Sequence, residues 1–224
     1  MDLTQYHCAP ERFLIIVTIL YTTALTVSTS VQNALMQKST CDPLIPFGEC
    51  LVGEYEGRRR LYSNTTYLQY SISFIVVLLA GAWSDSHGRR RKPLIFLPII
   101  GQFLTDGLYF VNHFWHWPST FNIIFTSVIP GLYVGRNMFW VGVMSYVSEN
   151  SKFESRTLKH GIIIVTYTFS LLIGWGLVEI LKDGMDYLHR YILFVVPILF
   201  NLFAILIGHL YIEDNSDIYN KEYG

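Results

Sequence analysis

The sequence predicts an all-α membrane protein, a bundle of six transmembrane helices. Three observations lead to this fold class: long apolar runs, a low content of charged residues, and the confinement of those charges to the segments between the runs. Hydrophobic residues make up 51% of the 224 residues and charged residues only 15%. A soluble domain carries about 25% charged residues, so the apolar surface here exceeds what one globular core needs.

Each of the six apolar runs is long enough to cross a membrane. A bilayer core of about 30 Å takes about 20 helical residues, and these runs lack the polar stripe of a soluble amphipathic helix. The segments outside the runs form an N-terminus (1–12), a long loop (36–66), four short loops and a tail (213–224). The predicted spans cover residues 13–35, 67–84, 93–111, 120–147, 161–181 and 191–212.

Basic residues in the short loops predict the orientation of the bundle. Cytoplasmic loops are enriched in Lys and Arg, and the densest cluster, Arg89 to Lys92, lies between the second and third spans. An even number of spans then puts both termini in the cytoplasm and makes the 36–66 loop extracellular. We expect the plasma membrane as the location, with lysosomal and other internal membranes as alternatives.

Two features of the extracellular loop concern covalent modification. Cys41 and Cys50 either form a disulfide, which an oxidising compartment permits, or they pair elsewhere or stay reduced. Asn64 begins the sequon Asn64-Thr65-Thr66. This asparagine is either glycosylated or too close to the second span for a glycan to be added.

The loop between the second and third spans carries the motif Gly81-X-X-X-Asp85-X-X-Gly88-Arg89-Arg90. Asp85 lies at the carboxyl end of a predicted helix, where the helix dipole disfavours negative charge, so it needs a cation nearby. Arg89 and Arg90 are close enough in sequence to supply it, and Gly88 permits the tight reversal of the chain. Gly81, one helical turn earlier, leaves room for another helix to pack closely.

This motif resembles the signature loop of the major facilitator superfamily of transporters, both in length and in position. Other residues make the chain similar to the proton-coupled folate transporter family in particular: Trp83, Pro93, Leu94, Leu97, Pro98, Gly101, Ser145-Tyr146-Val147-Ser148 and Ser155-Arg156-Thr157. The resemblance implies one half of a carrier with twelve spans, in which the substrate site lies between two six-helix halves near the middle of the membrane.

The resemblance also implies a function, the proton-coupled import of folates or other organic solutes, anionic ones included, by alternating access. It assigns Asp85, Arg89 and Arg90 to a latch on the cytoplasmic gate, with Glu149 as the nearest acidic counterpart. The acid that the family carries early in the fifth span is absent, because residues 162–165 are all apolar. The family's usual route for protons is therefore missing.

A six-helix bundle alone would leave its cavity face exposed to lipid, whereas alternating access needs two bundles. We expect an incomplete carrier whose partner is a second six-helix half. A dimer of halves and a non-transporting relic are the alternatives. A different class of function is a membrane interaction or regulatory protein that binds a full-length carrier.

Polar side chains within the predicted spans mark a candidate substrate or proton pathway. An ionisable group costs about 2.5–3.5 kcal/mol at the membrane centre on insertion scales, so each needs a physical reason. Arg136 either contacts an anion or the latch, or it binds neighbouring carbonyls or Glu149. Asp106 is a proton site or, as we favour, bonds to polar neighbours. Gln32 and Asn33 end the polar stretch of the first span, which lines a cavity or joins helices.

The sequence does not favour an enzyme, a metalloprotein or a nucleic-acid-binding protein. No span carries paired catalytic carboxylates or a nucleophile beside a base. His113 and His116 lack an accompanying Cys or carboxylate, so we interpret them as residues of the membrane interface. No cofactor is expected, and a net charge of −1 gives no general attraction to nucleic acid.

The predicted orientation can be tested with epitope tags. A tag inserted after Arg90 should bind antibody only in permeabilised cells, because the basic loop faces the cytoplasm. A tag inserted after Gly48 is the control and should be reachable in intact cells. Labelling of the tag at Arg90 in intact cells, or release of the chain by alkaline carbonate, would contradict the predicted topology.

Overall fold

The described part of the chain is almost entirely helical. A computed structural model describes residues 10–38, 51–86, 90–115, 128–129, 131–133, 135–151, 153–183 and 190–212. Over these ranges the chain forms no strand, so the all-α fold class is confirmed. The long helices are α1 (Pro10–Lys38), α2 (Leu51–Ser86), α3 (Lys92–Trp115), α4 (Gly135–Asn150), α5 (Phe153–Asp183) and α6 (Arg190–Tyr211).

Five of these helices are long and apolar enough to cross a membrane. Their mean hydropathies range from 1.4 to 2.4 over 20 to 29 residues. This pattern is that of a multi-pass membrane protein, as the sequence predicts. The candidate spans are Arg12–Gln32, Tyr67–Ser86, Lys92–Val111, Phe153–Leu181 and Ile192–Tyr211.

The predicted fourth span, residues 120–147, is not reproduced as one long helix. α4 has 16 residues, a length of about 24 Å, which is shorter than the hydrocarbon core. It begins at Gly135, whose φ of 40° lies in the left-handed region and ends any continuous helix from the preceding residues. Residues 116–127 lie outside the described ranges. A six-span bundle therefore remains a prediction.

Several helices extend beyond their predicted spans, among them α3 (92–115 against 93–111) and α5 (153–183 against 161–181). α1 covers 10–38 rather than 13–35, and α2 begins at Leu51, well inside the predicted 36–66 loop. With 36 residues α2 is about 54 Å long, which exceeds the thickness of a bilayer with its headgroups, about 40–45 Å. Hydropathy detects only the apolar part of a helix, whereas α2 also contains a polar first part that good helix formers such as Glu and Arg favour.

α1 lies at the centre of the bundle. It packs most extensively against α6 and α5, and also against α2 and α3, while α3 packs against α4 and α6. The side chains of Leu14, Val17 and Tyr21 are fully buried. The Tyr21 ring lies 4.3 Å, centroid to centroid, from that of Phe139 on α4, so the principal hydrophobic core joins the central helix to α3, α4, α5 and α6.

α2 and α5 lie at the periphery. In the apolar stretch of each helix, only 11% of α2 and 22% of α5 is buried, against 56% of α1. Large apolar side chains such as Phe74 and Leu79 on α2, or Val165 and Phe169 on α5, are exposed within the described chain. Lipid or another apolar surface is therefore needed to cover these faces.

α1 and α5 pack closely against each other at Gly174. A Cβ atom built on Gly174 would lie 2.7 Å from the Cβ of Thr26, whereas one built on Gly176 would meet no atom within 4 Å. Both glycines lie in the middle of the same helix. They form a matched pair that separates close packing from helix propensity.

Gly174→Ala should destabilise the bundle because the added methyl group overlaps Thr26. Overpacking of this kind typically costs about 1–3 kcal/mol. Gly176→Ala, the control, should leave stability unchanged or raise it, since alanine favours the helix. The measurement is the thermal midpoint of the purified protein in detergent, and equal midpoints for the two variants would contradict the packing of α5 on α1.

Candidate functional site

Three helix ends meet at a charged cluster formed by Asp85, Arg91 and Glu149. Asp85 lies in the last turn of α2, Arg91 directly precedes α3, and Glu149 lies in the last turn of α4. Arg91 Nη2 is 2.8 Å from Asp85 Oδ1 and 2.8 Å from Glu149 Oε1. Arg91 Nε donates a second hydrogen bond, of 3.0 Å, to the same Glu149 oxygen. One guanidinium thus bridges carboxylates from two other helices.

The two ion pairs of this cluster differ in burial. The side chains of Arg91 and Glu149 are 12% and 17% exposed, whereas that of Asp85 is 66% exposed. Water and salt therefore screen the contact with Asp85 much more than the contact with Glu149. The hydrogen bonds with Glu149 raise the pKa of Arg91 despite the opposing effect of burial, and the bond with Asp85 adds to the rise.

Ser84 holds the backbone and the guanidinium of this turn together. Its buried hydroxyl donates to the carbonyl of Arg90 at 2.7 Å and accepts a bond of 3.1 Å from Arg91 Nη1. The carbonyl of Arg91 in turn accepts from the amides of Leu94 and Ile95, which starts α3. Local bonds therefore fix both the backbone and the guanidinium of Arg91, and the same guanidinium also bonds to Glu149 on α4.

Among the described residues, the cation that binds Asp85 is Arg91, the residue directly after the motif. The motif points to Arg89 or Arg90, but Arg91 makes the described bonds, and the side chain of Arg90 is exposed. Gly88 and Arg89 lie outside the described residues. Arg91 follows the motif directly and precedes the Lys-Pro pair that opens α3, and this helix start is the signal that identifies it.

Within the described residues, Gly81 leaves room for another helix, as the motif predicts, but no helix occupies that space. A Cβ atom built there would meet nothing within 4 Å in the described part of the chain. The neighbouring side chains Leu78, Leu79 and Trp83 are exposed too. The surface of α2 around Gly81 is therefore open rather than packed.

A second site, the buried polar cluster, lies between α1, α3 and α6. It consists of Ser28 and Gln32 on α1, Gln102 and Asp106 on α3, and Asn201 on α6. Asp106 Oδ1 accepts hydrogen bonds from Ser28 Oγ and, at 2.8 Å, from Gln102 Nε2. Asp106 Oδ2 accepts one from Asn201 Nδ2 at 2.9 Å. Three side chains from three helices thus converge on one carboxyl group.

Ser28 is the second centre of this network. Its Oγ accepts bonds from Gln102 Nε2 at 2.9 Å and from Gln32 Nε2 at 3.0 Å. Asp106 is 3% exposed and Asn201 is fully buried, and no cation forms an ion pair with Asp106 in the described ranges. The carboxyl group is therefore satisfied by neutral donors alone.

Asp106 bonds to polar neighbours, and such bonds are compatible both with the interpretation that we favour and with its alternative, a carboxyl group that takes up a proton. Gln32 belongs to the same network, while the Asn33 side chain lies outside the description. Arg136 is exposed on α4, and in the described region neither Asp106 nor Glu149 forms an ion pair with it. Asn201 is absent from the sequence prediction, although a lone amide in the most apolar span is a recognisable signal.

The hydroxyl groups of the first span are satisfied mainly by their own helix. Thr18, Thr22 and Thr26 each donate to the carbonyl four residues earlier, at 2.6 to 2.8 Å. These three side chains are at most 8% exposed. These threonines belong to the polar stretch that the sequence predicts either to line a cavity or to join helices. Within the described chain, this part of α1 packs against other helices.

The candidate modification sites cannot be placed with the rest. Cys41 and Cys50 lie outside the described residues, and Asn64 lies within α2 with its side chain undescribed.

No protein-family model matches this chain, and no curated protein matches it. The resemblance to the facilitator carriers accordingly rests on the motif and its neighbouring residues.

A double-mutant cycle should show that Arg91 is coupled more strongly to Glu149 than to Asp85. We expect about 1–2 kcal/mol for Arg91→Gln with Glu149→Gln, because this pair is shielded and doubly bonded. For Arg91→Gln with Asp85→Asn we expect about 0.5 kcal/mol or less, since an exposed pair is screened. Unfolding by denaturant in micelles measures both, and equal couplings would contradict the described geometry.

Proposed function

We propose that this chain is part of a facilitator-type transporter that imports an organic solute by alternating access, with the charged cluster as a latch on its cytoplasmic gate. The single observation that carries the proposal is the bridge from Arg91 to Asp85 and Glu149. It lies where the family's signature loop has its charged residues. It also ties the ends of three helices to one side chain.

The physical properties of the cluster suit a latch. A latch has to be strong enough to favour one state and weak enough to open, and a partly exposed ion pair meets both requirements. The shielded arm to Glu149 joins α3 to α4, while the solvated arm to Asp85 joins α3 to α2. Movement of any one of these helices relative to the others would break at least one bond.

The peripheral helices support a second bundle as the partner. Alternating access requires two bundles that rock about a central site. The open face of α2 around Gly81 and the exposed apolar face of α5 are the surfaces that such a partner would cover. The exposed Arg136 on α4 would then face the space between the bundles, where it could contact an anionic solute such as a folate.

The same exposed faces favour a second candidate function. A membrane protein that binds a full-length carrier and regulates it would also need a large unpartnered apolar surface. Such a protein would keep the fold and the charged cluster but carry no solute alone. Uptake and co-purification distinguish the two candidates.

Uptake should depend on Glu149. In cells that express the full chain, accumulation of radiolabelled folic acid, or of another member of a panel of organic anions, should exceed that in control cells. Glu149→Gln should lower the rate about fivefold or more, because it weakens the latch that sets the balance of states. Glu154→Gln makes the same chemical change at an exposed carboxylate and should have no effect.

Two outcomes would overturn the transport proposal. One is the absence of uptake of every solute tested by chain that has reached the membrane, and the other is equal uptake by wild type and Glu149→Gln. Absence of uptake together with co-purification of a full-length carrier would support the regulatory function instead.

A further inference from the structure

Within the described chain, the Asn201 amide in the buried polar cluster uses only one of its two hydrogen-bonding groups. Its Nδ2 donates to Asp106 Oδ2, but its Oδ1 is buried and has no hydrogen-bond partner among the described residues. Asn201 is fully buried, so water does not reach the side chain in this conformation. An amide oxygen that lacks a donor in such a place is destabilising, because it has lost its hydrogen bonds to water without gaining a replacement.

An asparagine amide can serve the Asp106 carboxyl group in two orientations. Its NH₂ and oxygen occupy nearly the same volume, so a half-turn about the last side-chain torsion exchanges a donor for an acceptor. With the NH₂ towards Asp106, the amide binds an ionised carboxylate. With the oxygen towards Asp106, it accepts a bond from a protonated carboxyl group. Either orientation leaves one amide atom unpartnered, so the two differ chiefly in the bond to Asp106.

We propose that Asp106 is a proton-binding site, in which Asn201 turns its amide to hydrogen-bond either protonation state of the carboxyl group. This inference deepens the proposed function and rests on it for its biological meaning, because it assigns the residue that would bind the coupling proton. The proton comes from solvent, forms an O–H bond at Asp106 Oδ2 and leaves a neutral carboxyl group. No other covalent bond in the protein is made or broken.

The existing hydrogen bonds select Oδ2 as the oxygen that receives the proton. Asp106 Oδ1 already accepts from Ser28 and Gln102, whereas Oδ2 accepts only from Asn201. Protonation at Oδ2 therefore needs one amide rotation and leaves the bonds at Oδ1 in place. Protonation at Oδ1 would displace two donors.

The same contacts favour a proton over a metal cation. A hard cation takes oxygen ligands, and the oxygens of Asp106 are occupied by N–H and O–H donors. Binding of sodium would require Ser28 and Gln102 to turn away together. A proton removes the charge that is costly within a membrane span and leaves those two partners bound.

Among the described side chains around the buried polar cluster, Asp106 is the carboxyl group that takes up the proton. Tyr21 on α1 interacts electrostatically with Asp106, with Arg136 on α4 and with Tyr167 on α5. From α6 the facing side chain is Asn201, which does not titrate in this range. The proton would change the bonds that hold α3 to α1 and α6, and thereby the relative free energies of two arrangements of the bundle.

Infrared spectroscopy of the purified full chain in lipid nanodiscs tests the site without any solute. As the pH falls, the C=O stretch of a protonated, buried carboxyl group should appear in the wild type. Asp106→Asn should remove this band, whereas Glu179→Gln, at an exposed carboxylate of α5, should retain it. In Asn201→Leu the band should shift to higher frequency, because the acid loses its acceptor.

A second variant keeps the test valid if Asp106→Asn fails to fold. Ser28→Ala removes one donor that favours the ionised group, so the band should persist to higher pH than in the wild type. A band that is absent at every pH, present at every pH, or unaffected by Ser28→Ala would overturn the proposal. Loss of the band on addition of sodium at constant acidic pH would overturn it in favour of a cation site.

The outcomes also separate this proposal from the transport function. A titrating band together with absence of solute uptake would refute the transporter and leave the proton site standing. Uptake that depends on Glu149, without a titrating band, would refute the proton site alone.

Discussion

In a lipid environment a polar side chain has to find its hydrogen-bond partners inside the protein, and this constraint organises the bundle. The threonines of α1 meet it by bonding to their own helix, as Thr22 does with the carbonyl of Thr18. Asp106 cannot do so, because a carboxyl group buried in a span needs several donors. It obtains them from α1, α3 and α6, so these helices are held in register around it.

The sequence predicts those parts of the fold that hydropathy governs and fails where backbone geometry governs. Five predicted spans correspond to the helices that are long and apolar enough to cross a membrane. The fourth is described only in part, and its described helix begins at Gly135, whose positive φ is a backbone feature that hydropathy does not reveal. The first part of α2 is missed for the opposite reason, since polar residues there continue a helix that hydropathy does not detect.

The candidate sites are predictable as residue types but not as partnerships. Asp85, Glu149 and Asp106 stand out because a carboxylate at a helix end or within a span needs a reason. Their partners are decided by contacts between helices that are far apart in sequence: Arg91 is separated from Glu149 by 58 residues and Asn201 from Asp106 by 95. Neither pairing can be deduced from the spacing of residues along one helix.

The threonine bonds of α1 have a mechanical consequence. A carbonyl that accepts both a hydroxyl and its own helical amide forms a longer backbone bond, and helices with such side chains often curve. Thr18, Thr22 and Thr26 repeat this arrangement along one side of the most buried helix. Because α2, α3, α5 and α6 all pack against α1, a change in the curvature of α1 would alter its contacts with each of them.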